Sequence, residues 1–345
     1  MRIYAAFIVC MLCMVCAGGA IAKDAASSFV TVPSTVSAQA QAALRKMQDP
    51  NLQPELPDAD DFSGWKAAQE GRELFGIAAQ KAIVERLKPE VRQMQLGGVP
   101  VLEITPDAWQ GSKKTVVYFH GGAYTFFSAR STLGTAAMIA DVTGLRVVSV
   151  DYTLAPQAGW RQITGQAVAV LQALHKQGTA MNELAVIGDS AGGGLAAGAV
   201  LKMRDEGMQL PAAVVLWSPW SDITDTGDSY TTLKHAEPAY LYDKHLKKAA
   251  AAYAELPEQK HPYVSPVYGD YSKGFAPTLI QGGTKEIFLS NFVRQYQALD
   301  MAGVPVTLDL YEGMTHVFQA MMPDSAEAKT ALEKTGRFLR LHLGE

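Results

Sequence analysis

The sequence predicts an α/β domain built around a mostly parallel β-sheet, and two observations carry that reading. From about residue 91, short β-rich runs alternate with helical stretches, and strand–helix–strand crossovers make parallel neighbours. Several of the runs, such as Leu184-Ala185-Val186-Ile187, are continuously apolar, which suits strands covered by helices on both faces. A length of 345 residues, with 48% apolar and 19% charged side chains, is enough for one large domain of this kind.

The N-terminus stands apart from that domain. Arg2 is the only charge before Lys23, and between them lie an apolar run and the small-residue ending Ala20-Ile21-Ala22. A basic start, an apolar centre and an A-x-A ending are the parts of a secretory signal. Residues 1–22 therefore read as a signal peptide and residues 23–345 as a single exported domain, periplasmic or secreted, with no membrane span in the mature chain. An uncleaved N-terminal anchor is one alternative, because the apolar run is nearly span length. A lipoprotein signal is another, although Cys13 follows Leu12 and Cys16 follows Val15 rather than the small residue that lipid attachment needs. Cys10, Cys13 and Cys16 are the only cysteines, so removal of the segment leaves no thiol for a disulfide, a metal site or a nucleophile. The formal net charge of −4, without any Lys/Arg block, argues against a nucleic-acid partner.

Residues 23–63, rich in Ala, Ser, Pro and Asp, read as a loose lead-in with one helix near 36–48. Residues 64–88 carry Trp65, Ala68, Leu74, Phe75 and Ile83 at mostly helical spacing, an amphipathic helix interrupted by Gly71 and Gly76. Strands are expected at 99–105, 115–119, 146–150, 184–187, 213–217, 277–281 and 306–310. Helices are expected near 131–143, 160–177, 191–206, 290–302 and 325–343. Residues 222–262 show no strand pattern and read as an inserted helical segment, with its helix at 241–253.

Three signals along this framework carry chemistry. Gly188-Asp189-Ser190-Ala191-Gly192-Gly193 follows an apolar strand and opens a helix, so Ser190 stands at the apex of a tight turn. A serine hydroxyl is a poor nucleophile and needs exposure, a base and nearby N–H donors, which a helix N-terminus supplies. His120-Gly121-Gly122-Ala123-Tyr124 follows strand 115–119. Its glycines let the backbone turn N–H groups toward a developing oxyanion, a donor typically contributing ~3 kcal/mol to the transition state. Gly121, Gly122 and Ala191 are the candidate donors, while His120 reads as a structural residue. Finally, Gly313-Met314-Thr315-His316 lies after the last strand, and His316 alone follows both Ser190 and that strand while preceding the final helix. It is the candidate base. No H-E-x-x-H or other ligand spacing occurs, so a metal is not expected.

These motifs, together with Asp151-Tyr152-Thr153-Leu154-Ala155-Pro156 and Ser218-Pro219-Trp220, resemble the hormone-sensitive-lipase group of bacterial esterases, members of the α/β-hydrolases. The resemblance covers about residues 64–343. It implies an eight-stranded, mostly parallel sheet with a helical cap drawn from about 35–90 and 222–262. It also implies cofactor-free hydrolysis of short- to medium-chain carboxylic esters, and it makes an edge-strand homodimer an expectation. The family places its acid, commonly Asp, in the loop after strand 277–281. Here Lys285 holds the usual Asp position and Glu286, the next residue, is the loop's only carboxylate. Glu286 is assigned as the acid, with Asp222, Asp309 and Glu312 as rivals. Tyr124, Phe126, Phe127 and Met314 are candidate pocket residues, with core packing as the alternative. Three activities fit this set: a serine carboxylesterase with catalytic residues Ser190, Glu286 and His316, an amidase or acyltransferase using the same residues, and a non-catalytic ligand-binding relative.

Overall fold

The computed structural model describes residues 29–345, so the expected signal segment with its three cysteines lies outside the described residues. One eight-stranded sheet comprises β1 (Glu90–Leu96), β2 (Val99–Thr105), β3 (Thr115–Phe119), β4 (Arg146–Val150), β5 (Leu184–Asp189), β6 (Ala213–Trp217), β7 (Thr278–Gly283) and β8 (Val306–Tyr311). Their order is β1-β2-β4-β3-β5-β6-β7-β8. β2 pairs antiparallel with β1 and β4, and every other neighbouring pair is parallel.

Seven of the strands fall where the apolar runs place them. β1 does not announce itself, because five of its seven residues are exposed and four are polar. Its register comes from the turn instead. Gly97 and Gly98, at φ 58° and 80°, form a two-residue loop that sets Leu96 opposite Val99.

The helices are α1 (Ala38–Leu44), α2 (Phe62–Leu87), α3 (Leu133–Thr143), α4 (Trp160–Lys176), α5 (Ala191–Asp205), α6 (Ser229–Thr232), α7 (Lys247–Tyr253), α8 (Leu289–Met301), α9 (Phe318–Met321) and α10 (Ala326–Leu343). Alternation along the central strands divides the core into two layers. Val117, Phe119, Val186, Val214 and Leu216 pack with α4, α5 and α8. Val116, Tyr118, Ala185, Ile187, Val215 and Trp217 pack with α3 and α10. A third cluster joins Val30, Val36, Ala40 and Leu44 to Phe318, Met322 and the start of α10.

α2 runs unbroken through Gly71 and Gly76, contrary to the expected interruption. Glycine costs a helix only ~1 kcal/mol, which packing readily outweighs. At Gly76 the missing side chain permits close approach, since a Cβ there would lie 2.9 Å from the Ser131 Cβ. The helix is anchored to the domain by Gln69, which donates to the carbonyls of Thr125 and Ala155, and by Gln80, which bonds both the backbone and the hydroxyl of Thr135. The inserted segment contains no strand; its main helix, α7, is entered through a π-turn at Tyr242–Leu246. Among the described residues, no helix is long and apolar enough to cross a membrane.

Candidate active site

Ser190 sits between β5 and α5 at φ 54°, ψ −123°, a strained conformation for a residue with a side chain. The backbone around it is pinned on both sides. Its N–H donates to Trp217 O at 2.8 Å, and its carbonyl accepts from Trp220, Gly193 and Gly194. Strand and helix then meet backbone to backbone. A Cβ on Gly188 would lie 2.1 Å from Gly192 O, and one on Gly192 would lie 2.0 Å from Phe119 O. Glycine is therefore a steric requirement of the turn.

Next to it, the loop after β3 is held by Asp189. The Gly121 N–H donates to Asp189 Oδ1 at 3.0 Å, and the Tyr118 hydroxyl donates to the same oxygen at 2.5 Å. This corrects the donor set expected from the sequence: the Gly121 N–H is already spent on Asp189. Among the described residues, no acceptor faces the N–H groups of Gly122, Ala123 or Ala191. Burial raises the Asp189 carboxyl above its ordinary range, against the lowering effect of the Tyr118 hydrogen bond. His120 is fully buried and stacked on Tyr152 at 4.3 Å, with Nδ1 donating to Gly121 O at 2.7 Å. Burial lowers its pKa and keeps it neutral, so it shapes this loop.

On the other side of the site, the loops after β7 and β8 are zipped together. The Thr284 and Lys285 N–H groups donate to Tyr311 O and Met314 O, and the Gly313 N–H donates to Thr284 Oγ1. A Cβ on Gly283 would lie 2.1 Å from Met314 O. This contact brings His316 Nδ1 within 2.8 Å of Glu286 Oε2. With Nδ1 donating to the carboxylate, Nε2 is the accepting nitrogen. Glu286 is fully buried, and its other oxygen accepts from Ser218 Oγ at 2.8 Å and from the Gly283 N–H at 2.6 Å. Ser218 Oγ in turn accepts the Val317 N–H at 3.0 Å, which ties the histidine loop back to the acid. Tyr240 and Phe288 stand T-shaped to the imidazole, with ring centroids 4.9 and 5.4 Å away. His316 and Asp189 are close enough to interact electrostatically.

The rival carboxylates are engaged elsewhere. Asp222 pairs with Arg294 at 2.7 Å and accepts from Thr224 and Tyr268. Asp309 bonds Lys334 and Gln281, and Glu312 accepts from Thr35. Of the expected pocket residues, Tyr124 and Met314 are core instead. Tyr124 is stacked on Tyr253 at 3.7 Å, and Met314 is fully buried in the cluster around Val36 and Phe318. Phe126 packs against Trp65 beneath α2. Phe127, half-buried at φ 70°, reaches between Gly122 and Gly76. Asp189, Ser218 and Tyr240 are site residues that sequence reasoning did not find. Ser218 directly follows β6, which neighbours the acid-bearing β7, and its N–H donates to Gln281 O.

Residues 116–320 match a family described as the α/β hydrolase fold. An acetyl-hydrolase of Streptomyces hygroscopicus is 36% identical over 232 residues, 67% of this chain and 77% of that protein. The solved structure of an esterase, E25, superposes with a TM-score of 0.84 at 30% identity, covering 90% of this chain and 96% of that one. An esterase from the bacterial hormone-sensitive lipase family superposes with a TM-score of 0.75 at 28% identity, covering 89% and 99%.

Proposed function

The chain belongs to the hormone-sensitive-lipase-like group of α/β-hydrolases, and we propose that it hydrolyses short- to medium-chain carboxylic esters through an acyl-enzyme formed on Ser190. It is a carboxylic ester hydrolase, as its esterase relatives are. His316 Nε2 takes the Ser190 proton as the hydroxyl attacks the ester carbonyl, and the imidazolium returns it to the leaving alcohol. Glu286 holds the imidazole tautomer and stabilises its charge. The oxyanion is held by the N–H groups of Gly122, Ala123 and Ala191. Water, activated by the same histidine, then releases the acid.

The observation that supports this reading best is the continuous relay Ser218–Glu286–His316, with hydrogen bonds of 2.8 Å at both steps, in a fold that also holds Ser190 at a strained strand-to-helix turn. The name acetyl-hydrolase borne by a relative favours small acyl groups. The test is turnover of p-nitrophenyl esters of graded acyl length by residues 23–345, beside Ser190→Ala. Hydrolysis of the acetate and butyrate esters that disappears in the mutant is the expected result; equal turnover by the mutant would overturn it. The proposal extends to export after cleavage before Lys23, checked by N-terminal sequencing of the exported chain, and to a homodimer, checked by sedimentation.

A further inference from the structure

The turn that carries Glu286 is gripped from two directions. From the sheet side come the Gly283 N–H and the Ser218 hydroxyl. From the other side come two residues of the inserted segment, and both close on the residue after the acid. Glu237 Oε2 accepts the Ile287 N–H at 3.4 Å, and the Ser229 hydroxyl donates to Ile287 O at 2.6 Å. Both hydrogen-bonding groups of the Ile287 main chain are thus satisfied by side chains 50 and 58 residues away in sequence.

The grip is built to hold its shape. Glu237 is fully buried, and its Oε1 accepts the Ala239 N–H at 2.8 Å, which fixes the carboxyl against its own loop. Ser229 is locked reciprocally with Ser290: each N–H donates to the other's hydroxyl, at 3.0 and 2.9 Å. Just beyond Glu237, the Tyr240 ring packs T-shaped against His316. The inserted segment therefore touches the acid's neighbour and the base with consecutive parts of one loop. The ionisable groups facing the Glu237 carboxyl are Glu286 and Tyr240.

We propose that the inserted segment positions the catalytic acid, with Glu237 and Ser229 as the positioning residues. The inference rests on Glu286 acting as the acid of the relay described above. A turn gripped only from the sheet leaves the carboxylate free to tilt, and a tilted carboxylate makes a longer bond to Nδ1. The imidazole is then both misdirected and less basic. Loops over an active site are usually assigned to substrate binding; this one is coupled to the proton relay as well.

The experiment compares Glu237→Ala, Glu237→Gln and Ser229→Ala with wild type and with Glu286→Gln, each confirmed as folded by its melting transition. The readouts are kcat, KM and the pH profile of kcat/KM on p-nitrophenyl acetate. Glu237→Ala is expected to lose roughly 10–100-fold in kcat, a size typical of supports lying behind a reacting group, with KM little changed. The acid limb of kcat/KM should move to lower pH as the imidazole becomes less basic. Glu237→Gln keeps the size but offers an accepting oxygen to only one of the two N–H groups, so it should recover part of both effects. Ser229→Ala should move kcat and the limb in the same direction by less, and it serves as the readout if Glu237→Ala does not fold. Wild-type kcat in folded Glu237→Ala, or in Ser229→Ala when it stands in, beside an inactive Glu286→Gln would overturn this inference alone. So would a loss confined to KM with an unmoved pH limb. Full activity in Glu286→Gln would overturn the acid assignment and this inference with it.

Discussion

Glu286 gives each carboxylate oxygen a different task. Oε2 faces the imidazole, and Oε1 is fixed by the Ser218 hydroxyl and the Gly283 N–H. An amide cannot serve both sides, because its NH2 must point either at two donors or at the histidine. Glu286→Gln should therefore lower kcat by roughly 10⁴-fold, the scale seen when a histidine is held in the wrong tautomer, and steady-state kinetics on a p-nitrophenyl ester will measure it. Asp222→Asn should do the opposite. All partners of that carboxylate lie away from His316, so kcat should stay near wild type while stability falls by about 1–3 kcal/mol, read from denaturant unfolding. Glu286 was legible as the only carboxylate in its loop; its anchor Ser218 was not, because the partners lie 68 positions apart. Gly121 shows the limit at the backbone level. A His-Gly-Gly run identifies an oxyanion loop, but not which N–H is already taken by Asp189.

At the level of elements, the same substitution has opposite signs according to what a glycine faces. Gly192→Ala would set a Cβ 2.0 Å from Phe119 O and 2.5 Å from His120 O, so α5 and β3 must separate where Ser190 and the oxyanion loop meet. A loss of about 3 kcal/mol or more and near-complete inactivity are expected, since backbone cannot yield as a side chain does. Gly71→Ala, on the open face of α2 with no heavy atom within 4 Å of the new Cβ, should instead stabilise by about 0.5–1 kcal/mol. Parallel thermal melts and esterase assays check both, and a destabilised Gly71→Ala would contradict the continuity of α2. These contrasts also explain which elements were readable. Buried strands and the serine turn declare themselves by apolar runs and required glycines. The polar β1 and the unbroken α2 depend on a turn and on packing that local composition does not display.

Across the whole molecule, two carboxyls that tie distant segments together have opposite pH behaviour. Glu327 is held below its ordinary value; burial opposes ionisation, but the Ser37 hydroxyl and N–H, each at 2.6 Å, outweigh it and tie the N-terminal segment to α10. Its contribution is present above the ordinary value of 4.5 and is lost as the pH falls through the lower folded value. Glu237 behaves in the reverse sense. Burial first, and the neighbouring Glu286 second, push its carboxyl well above its ordinary value of 4.5. Between that value and the raised one, the folded protein binds a proton that the unfolded chain has released. Stability therefore declines as the pH rises through this window, by up to about 1.4 kcal/mol for each pH unit crossed. Glu237→Gln removes the ionisation while remaining neutral. Its melting temperature, relative to wild type, should thus climb as the pH rises above 4.5, by up to about 2 °C per pH unit for a chain of this size. A Glu237→Gln difference that stays constant over that range would mean the buried carboxyl ionises normally, and the inserted segment would then press a second negative charge against the acid that orients His316.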